Sequence, residues 1–201
     1  MSTAAAAIVG ILLAGGRSTR FGTDKLLHPL ADGTPIALAS GRRLVATCPH
    51  TVSVVPTGQA RLRRLLSDIG VDVRVDPACE LGIGSSLACA VRATPDAEGW
   101  LVALADMPFL EVSTLRSVLG ALREGAEIAA PVCRGRRGHP VGFSRRCFAA
   151  LAALQGDAGG RRLVDDPSRS LVLIAVDDAG IHRDVDHPGD LLAVAARPSR
   201  R

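Results

Sequence analysis

Residues that could do chemistry gather at three places in this sequence. The first is LLAGGRSTRFGTDK, Leu12 to Lys25, where an apolar run ends in two glycines and a short loop carries Arg17, Arg20 and Lys25. The second is ALADMPF, which puts Asp106 directly after another apolar run. The third is RDVDHPGD, with Asp184 and Asp186 at alternate positions and Asp190 just beyond. Glycines let main-chain N–H groups approach an anion closely. A carboxylate just past a strand can hold Mg²⁺, which takes oxygen ligands, often one or two carboxylates plus substrate phosphates. Asp184 and Asp186 would face the same side of an extended segment, so one of them could complete such a site. The plainer alternatives are turn or cap roles: Asp106 in a turn, and Asp186 or His187 ahead of Pro188.

The loop after Leu12 matches no standard phosphate motif. A P-loop needs Gly-Lys followed by Ser or Thr, and Gly22 is followed by Thr23-Asp24-Lys25. The dinucleotide fingerprint G-x-G-x-x-G fails here, and GIGSSL puts Leu87 at its third glycine. Spacing alone therefore leaves a phosphate cradle and a structural turn both open. Lys25 favours the cradle. It is the only lysine in the chain, whose other basic side chains are arginine. Lysine is a compact point charge and arginine a broad planar fork, so a surviving lysine marks a place where a fork will not do.

These loops follow strands. AIVGILLA (residues 7–14) is a continuous apolar run, as expected of a buried parallel strand. TVSVV (51–55), VDVRVD (71–76), 100–104, EIAAPV, HPVGFS and LVLIAV (171–176) read as further strands. Helical spacing is expected over about 35–45, in GQARLRRLLSDIG with Gly70 as C-cap, and in GIGSSLACAVRA. STLRSVLGALREG reads as a helix with Ser113 as N-cap and Gly125 past its end. RRCFAALAALQG, AGGRRLVDD and HPGDLLAVAA close the set. This rhythm predicts an α/β fold, an open, mostly parallel sheet covered by helices, in which ligands bind at the carboxyl ends of the strands.

The length of 201 residues suggests one domain, 1–201, with a core over about 7–195. Aliphatic side chains must build that core, because aromatics make up 2% and tyrosine is absent. The net charge of +4 comes from Arg61 to Arg64 and Arg134 to Arg137. Without aromatics or a binding motif beside them, these clusters do not read as a nucleic-acid surface. Five cysteines with no CxxC pair indicate neither a disulfide framework nor a zinc site. Reduced thiols and a cytoplasmic location are the expectation. The apolar N-terminus lacks a basic flank and is too short to span a bilayer, so no membrane role is expected. The CRGRRGHPVGFS stretch could greet an anion or be a solvated loop, and its His139 could be a base, a ligand or structural. QGDAGGRRLV could close over a substrate. Cys89 reads as core packing.

Together the motifs resemble the MobA-like NTP transferase family, most of all its MocA-type branch, the molybdenum cofactor cytidylyltransferases. LLAGGRSTRFGTDKLL, GIGSSLACAV, LADMPF, GRRGHPVGFS, LQGDAGGRRLV and DVDHPGDL occur in the family's order across almost the whole chain. The resemblance implies a Rossmann-like three-layer α/β/α fold of the nucleotide-diphospho-sugar transferase kind. It implies Leu13, Ala14, Gly15 and Gly16 at the base and ribose, and Arg17, Arg20 and Lys25 on the triphosphate. It implies Ser85 and Ser86 in the nucleoside pocket, and Asp106 and Asp186 on Mg²⁺. Gly138, His139 and Pro140 would lie beside the acceptor. Arg17, Lys25 and Asp106 would carry catalysis. Ala14-Gly15-Gly16 departs from the Ala-Ala-Gly of the cytidylyl branch and is more typical of guanylyltransferases. CTP is thus favoured by the C-terminal half and GTP by the loop.

The expected reaction moves CMP or GMP from the triphosphate to the phosphate of molybdopterin or molybdenum cofactor, releasing pyrophosphate. A molybdenum hydroxylase would be the recipient enzyme. The alternatives are transfer to another phosphate acceptor, or a non-catalytic molybdopterin carrier. A dinucleotide-dependent oxidoreductase is a more distant alternative, because the glycine fingerprint fails.

Overall fold

The computed structural model describes residues 7–15, 25–187 and 189–191. Gly16, Arg17 and Arg20 of the opening loop lie outside the described residues, as do Pro188 and most of the expected last helix. Among the described residues eight strands are interspersed with helices: β1 (Ile8–Leu13), α1 (Ile36–Val45), β2 (Thr51–Val55), α2 (Ala60–Ser67), β3 (Val71–Val75), α3 (Ile83–Ala93), β4 (Gly99–Leu104), α4 (Val112–Arg123), β5 (Ile128–Cys133), β6 (Arg136–Arg137), β7 (Val141–Ser144), α5 (Phe148–Ala152), α6 (Arg161–Val164) and β8 (Leu171–Ala175).

β3, β2, β1 and β4 pair in parallel in that order. β7 then runs antiparallel between β4 and β5, β6 forms a hairpin with the end of β5, and β8 adds to β5 in parallel. The α/β sheet expected from the sequence is therefore observed. Chain order reverses at β1: β2 and β3 lie on one side, β4 on the other. This is the switch point at which open sheets of this kind leave a crevice beyond the strand ends.

Alternation along the strands sends side chains into two cores. Val9, Ile11, Trp100 and Phe143 join Leu87 and Leu151 on the α3 and α5 face. Leu12, Leu101 and Ala129 join Ile36, Leu44, Leu66 and Leu115 under α1, α2 and α4. Burial on both faces is why β1 and β2 read as unbroken apolar runs. The indole N–H of Trp100, itself wholly buried, donates to Thr94 Oγ1 at 2.9 Å, so the bulkiest core side chain leaves no polar group unpaired.

Two expected caps differ. Helix α4 begins after Glu111, and the Ser113 hydroxyl lies inside its first turn, donating to Glu111 Oε2 at 3.0 Å. The capping acceptor is instead Asp178, just beyond β8. Asp178 Oδ2 accepts the Glu111 N–H at 2.9 Å and the Thr114 hydroxyl at 2.8 Å, and Oδ1 accepts the Gly180 N–H at 2.7 Å. Helix α2 ends at Ser67, and Gly70, with φ +88°, closes the turn after it. The Asp178 carboxylate is only 3% exposed. Asp178→Ala strands three donors in the interior and is expected to cost about 3 kcal/mol, read from urea unfolding.

Among the described residues no helix is long and apolar enough to cross a membrane.

Candidate active site

The ends of β1 and β4 meet at the switch point. The Ala105 N–H donates to the Leu13 carbonyl at 3.0 Å, tying the start of the glycine loop to the turn that carries Asp106. The Asp106 carbonyl accepts the Val185 N–H at 2.9 Å. That main-chain bond brings Asp184 and Asp186 beside Asp106, and the buried Val185 between them anchors the segment. Lys25 opens a short 3-10 turn whose Leu26 is buried in the core.

From there the Lys25 ammonium reaches both carboxylates. Nζ lies 2.8 Å from Asp106 Oδ2 and 3.1 Å from Asp186 Oδ1. Burial by itself would lower the Lys25 pKa; the hydrogen bonds and charges of Asp106 and Asp186 outweigh it and hold the pKa above its ordinary value. Asp184 is pushed up, by burial first and then by the charges of Asp186 and Asp106 and a hydrogen bond with Asp186. Among the described residues no three His, Cys, Asp or Glu side chains gather as a metal cage. Two carboxylates around one positive point are nevertheless what a divalent ion needs when phosphates supply its other ligands. Asp106 and Asp186 fit that role.

Two cavities open beside the ends of β1 and β4, and Asp106 of the clamp lines the smaller. One, of about 410 Å³, is lined by Leu13, Gly15, Cys79, Leu81, Gly82, Ser86 and Asp106. The other, of about 660 Å³, is lined by Leu13, Leu87, Arg136, Arg137, Gly138, His139, Gly160 and Arg161. Leu13, Ile83 and Asp157 belong to both, so the cavities adjoin. Gly138 is required by space: a Cβ there would run into the Ile181 carbonyl. Gly82, with φ +126°, lies so close to the Gly156 backbone that a Cβ would sit 2.5 Å from its carbonyl carbon.

Several expected site residues have a different local job. Ser86 lines the smaller cavity, but Ser85 lines neither; its hydroxyl accepts the Gly156 N–H at 3.0 Å. The Gly156 carbonyl in turn accepts the Gly84 N–H at 2.8 Å, so the first turn of α3 fastens the 156–160 loop. Ala14 and Pro140 are buried and line neither of these two cavities. Asp190 accepts the N–H groups of Asp186 and His187 at 2.9 and 2.7 Å.

The arginine loop is not simply solvated. Arg137 pairs with Asp165, which also takes Arg161 at 3.2 Å, while Arg136 has no ion-pair partner among the described residues. His139 has its pKa lowered by burial, against the opposing effects of the Asp106 charge and a Val102 backbone hydrogen bond, so it is neutral near pH 7. Its Nδ1 is buried without a hydrogen-bond partner. Sequence reasoning missed Asp157, shared by both cavities, and Cys79; the glycines of QGDAGG were the local signal for the first.

The sequence profile of the MobA-like NTP transferase domain matches residues 10–171. A molybdenum cofactor guanylyltransferase from Cupriavidus taiwanensis is 32% identical over 202 residues, 94% of this chain and 97% of that protein. Nicotine blue oxidoreductase from Paenarthrobacter nicotinovorans is 31% identical over 190 residues, 89% of this chain and 92% of that protein. The crystal structure of Rv0371c from Mycobacterium tuberculosis H37Rv superposes with a TM-score of 0.83 at 29% identity, covering 96% of this chain and all of that one. Its manganese complex gives 0.79 at 28% identity, covering 94% and 97%. The switch-point crevice, the order of the motifs and these likenesses agree: the chain belongs to the MobA-like NTP transferase family, nucleotidyltransferases of the MobA and MocA type.

Proposed function

We propose that the chain transfers CMP or GMP from a nucleoside triphosphate to the terminal phosphate of molybdopterin or its molybdenum form. An oxygen of the acceptor phosphate attacks the α-phosphorus. The bond from the α-phosphorus to the bridging oxygen breaks, and pyrophosphate leaves. The observation that carries this reading is Lys25 held between Asp106 and Asp186, with Asp106 lining the smaller cavity. The nucleoside would occupy that cavity against Leu13, Gly15 and Ser86, and the acceptor the larger one beside Gly138 and His139.

No side-chain nucleophile is needed, and a phosphate monoester needs no strong base, so catalysis is positioning and charge neutralisation. Asp106 and Asp186 would hold a divalent ion, Mg²⁺ by expectation, which supplies Lewis-acid polarisation of phosphate oxygens when bound. The manganese complex of the mycobacterial neighbour supports a divalent metal. Lys25 offsets charge on the triphosphate and the leaving pyrophosphate, with Arg17 and Arg20 joining it by the family resemblance. Arg136, without an ion-pair partner among the described residues, would meet the anionic acceptor at the rim of the larger cavity.

Two signals bear on the donor base. A Cβ at Gly15 would stand 2.8 Å from Ser86 Oγ, so alanine there would have to displace that hydroxyl. The resemblance of Ala14-Gly15-Gly16 to the guanylyl branch favours GTP, whereas the C-terminal motifs favour CTP. Thermal shifts with each triphosphate and Mg²⁺ separate the two: a ligand present at 100 times its Kd adds about 2.7 kcal/mol to the folded state. The expected outcome is one clear stabilising base, followed by pyrophosphate release with that triphosphate only when molybdopterin is added. A carrier would bind both and release none. The oxidoreductase name of one relative gives a second reading, for which nicotinamide-cofactor turnover without pyrophosphate is the deciding result.

A further inference from the structure

The sheet ends differently on its two sides. β3, one edge, reads VDVRV, and its Asp72 and Arg74 pair at 3.1 Å on the surface. β8, beyond β5, pairs with no other described strand. It reads LVLIA, followed by Val176, with no charge, proline or glycine. Val172 is 39% exposed and Leu173 54%. Charged side chains on an edge strand discourage further pairing; an uncharged apolar edge offers its free N–H and C=O groups to another strand.

The direction of those groups is fixed by the pairing with β5. The Ser170 carbonyl accepts the Ile128 N–H at 3.1 Å, and the Val176 N–H donates to the Val132 carbonyl at 3.0 Å. The even-numbered residues of β8 therefore turn their backbone toward β5. Alternation turns the N–H and C=O groups of Leu171, Leu173 and Ala175 to the open side.

We propose that β8 pairs antiparallel with β8 of a second copy of this chain, about a two-fold axis through Leu173, so that one sheet runs through both chains. This register sets Leu173 opposite itself, Leu171 opposite Ala175, and Val172 opposite Ile174. Every opposed pair is apolar. The three residues with outward backbone groups meet one another, so each N–H finds a carbonyl. No like charges are opposed along the strand. Beyond it, the exposed Asp177 of one copy comes level with Arg169 of the other, which already holds Glu127 at 2.8 Å and Asp166 at 3.7 Å. Self-complementarity of this kind is what a two-fold interface demands, and it favours a second copy over a foreign strand.

The register makes the test specific. Directly opposed residues in a hydrogen-bonded pair have Cα atoms about 5.5 Å apart, within reach of a disulfide. The chain's own five cysteines are buried, with burial pushing the Cys48 thiol up to about 11, so they will not interfere. Under mild oxidation Leu173→Cys is expected to form a covalent dimer, and Val172→Cys is not, because Val172 faces Ile174. In sedimentation equilibrium at tens of micromolar the unmodified chain is expected to be dimeric. Leu173→Lys is expected to be monomeric with an unchanged circular dichroism spectrum. A monomeric unmodified chain, a Leu173→Lys dimer, or equal cross-linking through Val172→Cys would each overturn the proposal.

Discussion

Asp106→Ala is expected to cut metal-dependent pyrophosphate release about a thousandfold, a loss of ~4 kcal/mol of transition-state stabilisation. The side chain contributes one of two carboxylates at the strand ends and the shorter of the two contacts to Lys25, 2.8 Å. The position itself is secured by main chain. The Asp106 carbonyl, not its carboxylate, accepts the Val185 N–H, so truncation leaves the 184–186 segment attached to β4. The carboxylate is about a quarter exposed, and losing a partly solvated ion pair costs about 1 kcal/mol of stability at most. Activity and stability therefore separate: turnover collapses while the melting temperature moves by only a few degrees. Turnover that survives at millimolar Mg²⁺ would remove Asp106 from the metal site and leave it as a turn residue that neutralises Lys25.

The parts of the molecule legible in the sequence are those whose signal is local. β2 runs from Thr51 to Val55, as its β-branched run indicates, and β1 and β4 follow their apolar runs within a residue at each end. Asp106 was visible for the same reason, because it follows such a run directly. The Asp178 cap was not. It acts on Glu111 across 67 residues of chain, and a nearer serine carries the usual cap signature. The Ser85 contact is equally distant: its hydroxyl accepts the Gly156 N–H across 71 residues of chain, and nothing in the first turn of α3 announces it. Arg136 and Arg137 are adjacent and chemically identical, yet Asp165 takes Arg137 and leaves Arg136 unpaired among the described residues. Spacing could not distinguish them. The fold follows from periodicity, whereas the allotment of each polar side chain is decided by contacts distant in sequence.

Lys25 tests the point-charge argument most severely. The sequence assigned it to a phosphate; in the structure its ammonium stands between two carboxylates, 2.8 and 3.1 Å from their oxygens. Both placements suit a compact cation whose donors are not confined to one plane, and a guanidinium is broader and donates only within its plane, in a site where the lysine side chain is 13% exposed. Lys25→Arg, which keeps the charge, is expected to lower turnover about a hundredfold, or ~2.7 kcal/mol. A second variant separates position from charge. The ammonium neutralises the same carboxylates that would hold the metal, so a divalent ion arriving without nucleotide must displace it. Lys25→Gln frees both carboxylates and is expected to bind Mn²⁺ about tenfold more tightly in the absence of nucleotide, or ~1.4 kcal/mol, while binding the triphosphate more weakly. Electron paramagnetic resonance of free Mn²⁺ reads the first effect and calorimetry the second. Near-normal turnover in Lys25→Arg would end the argument from the lone lysine. Unchanged or weaker Mn²⁺ binding in Lys25→Gln would show that the ammonium and the metal do not share Asp106 and Asp186.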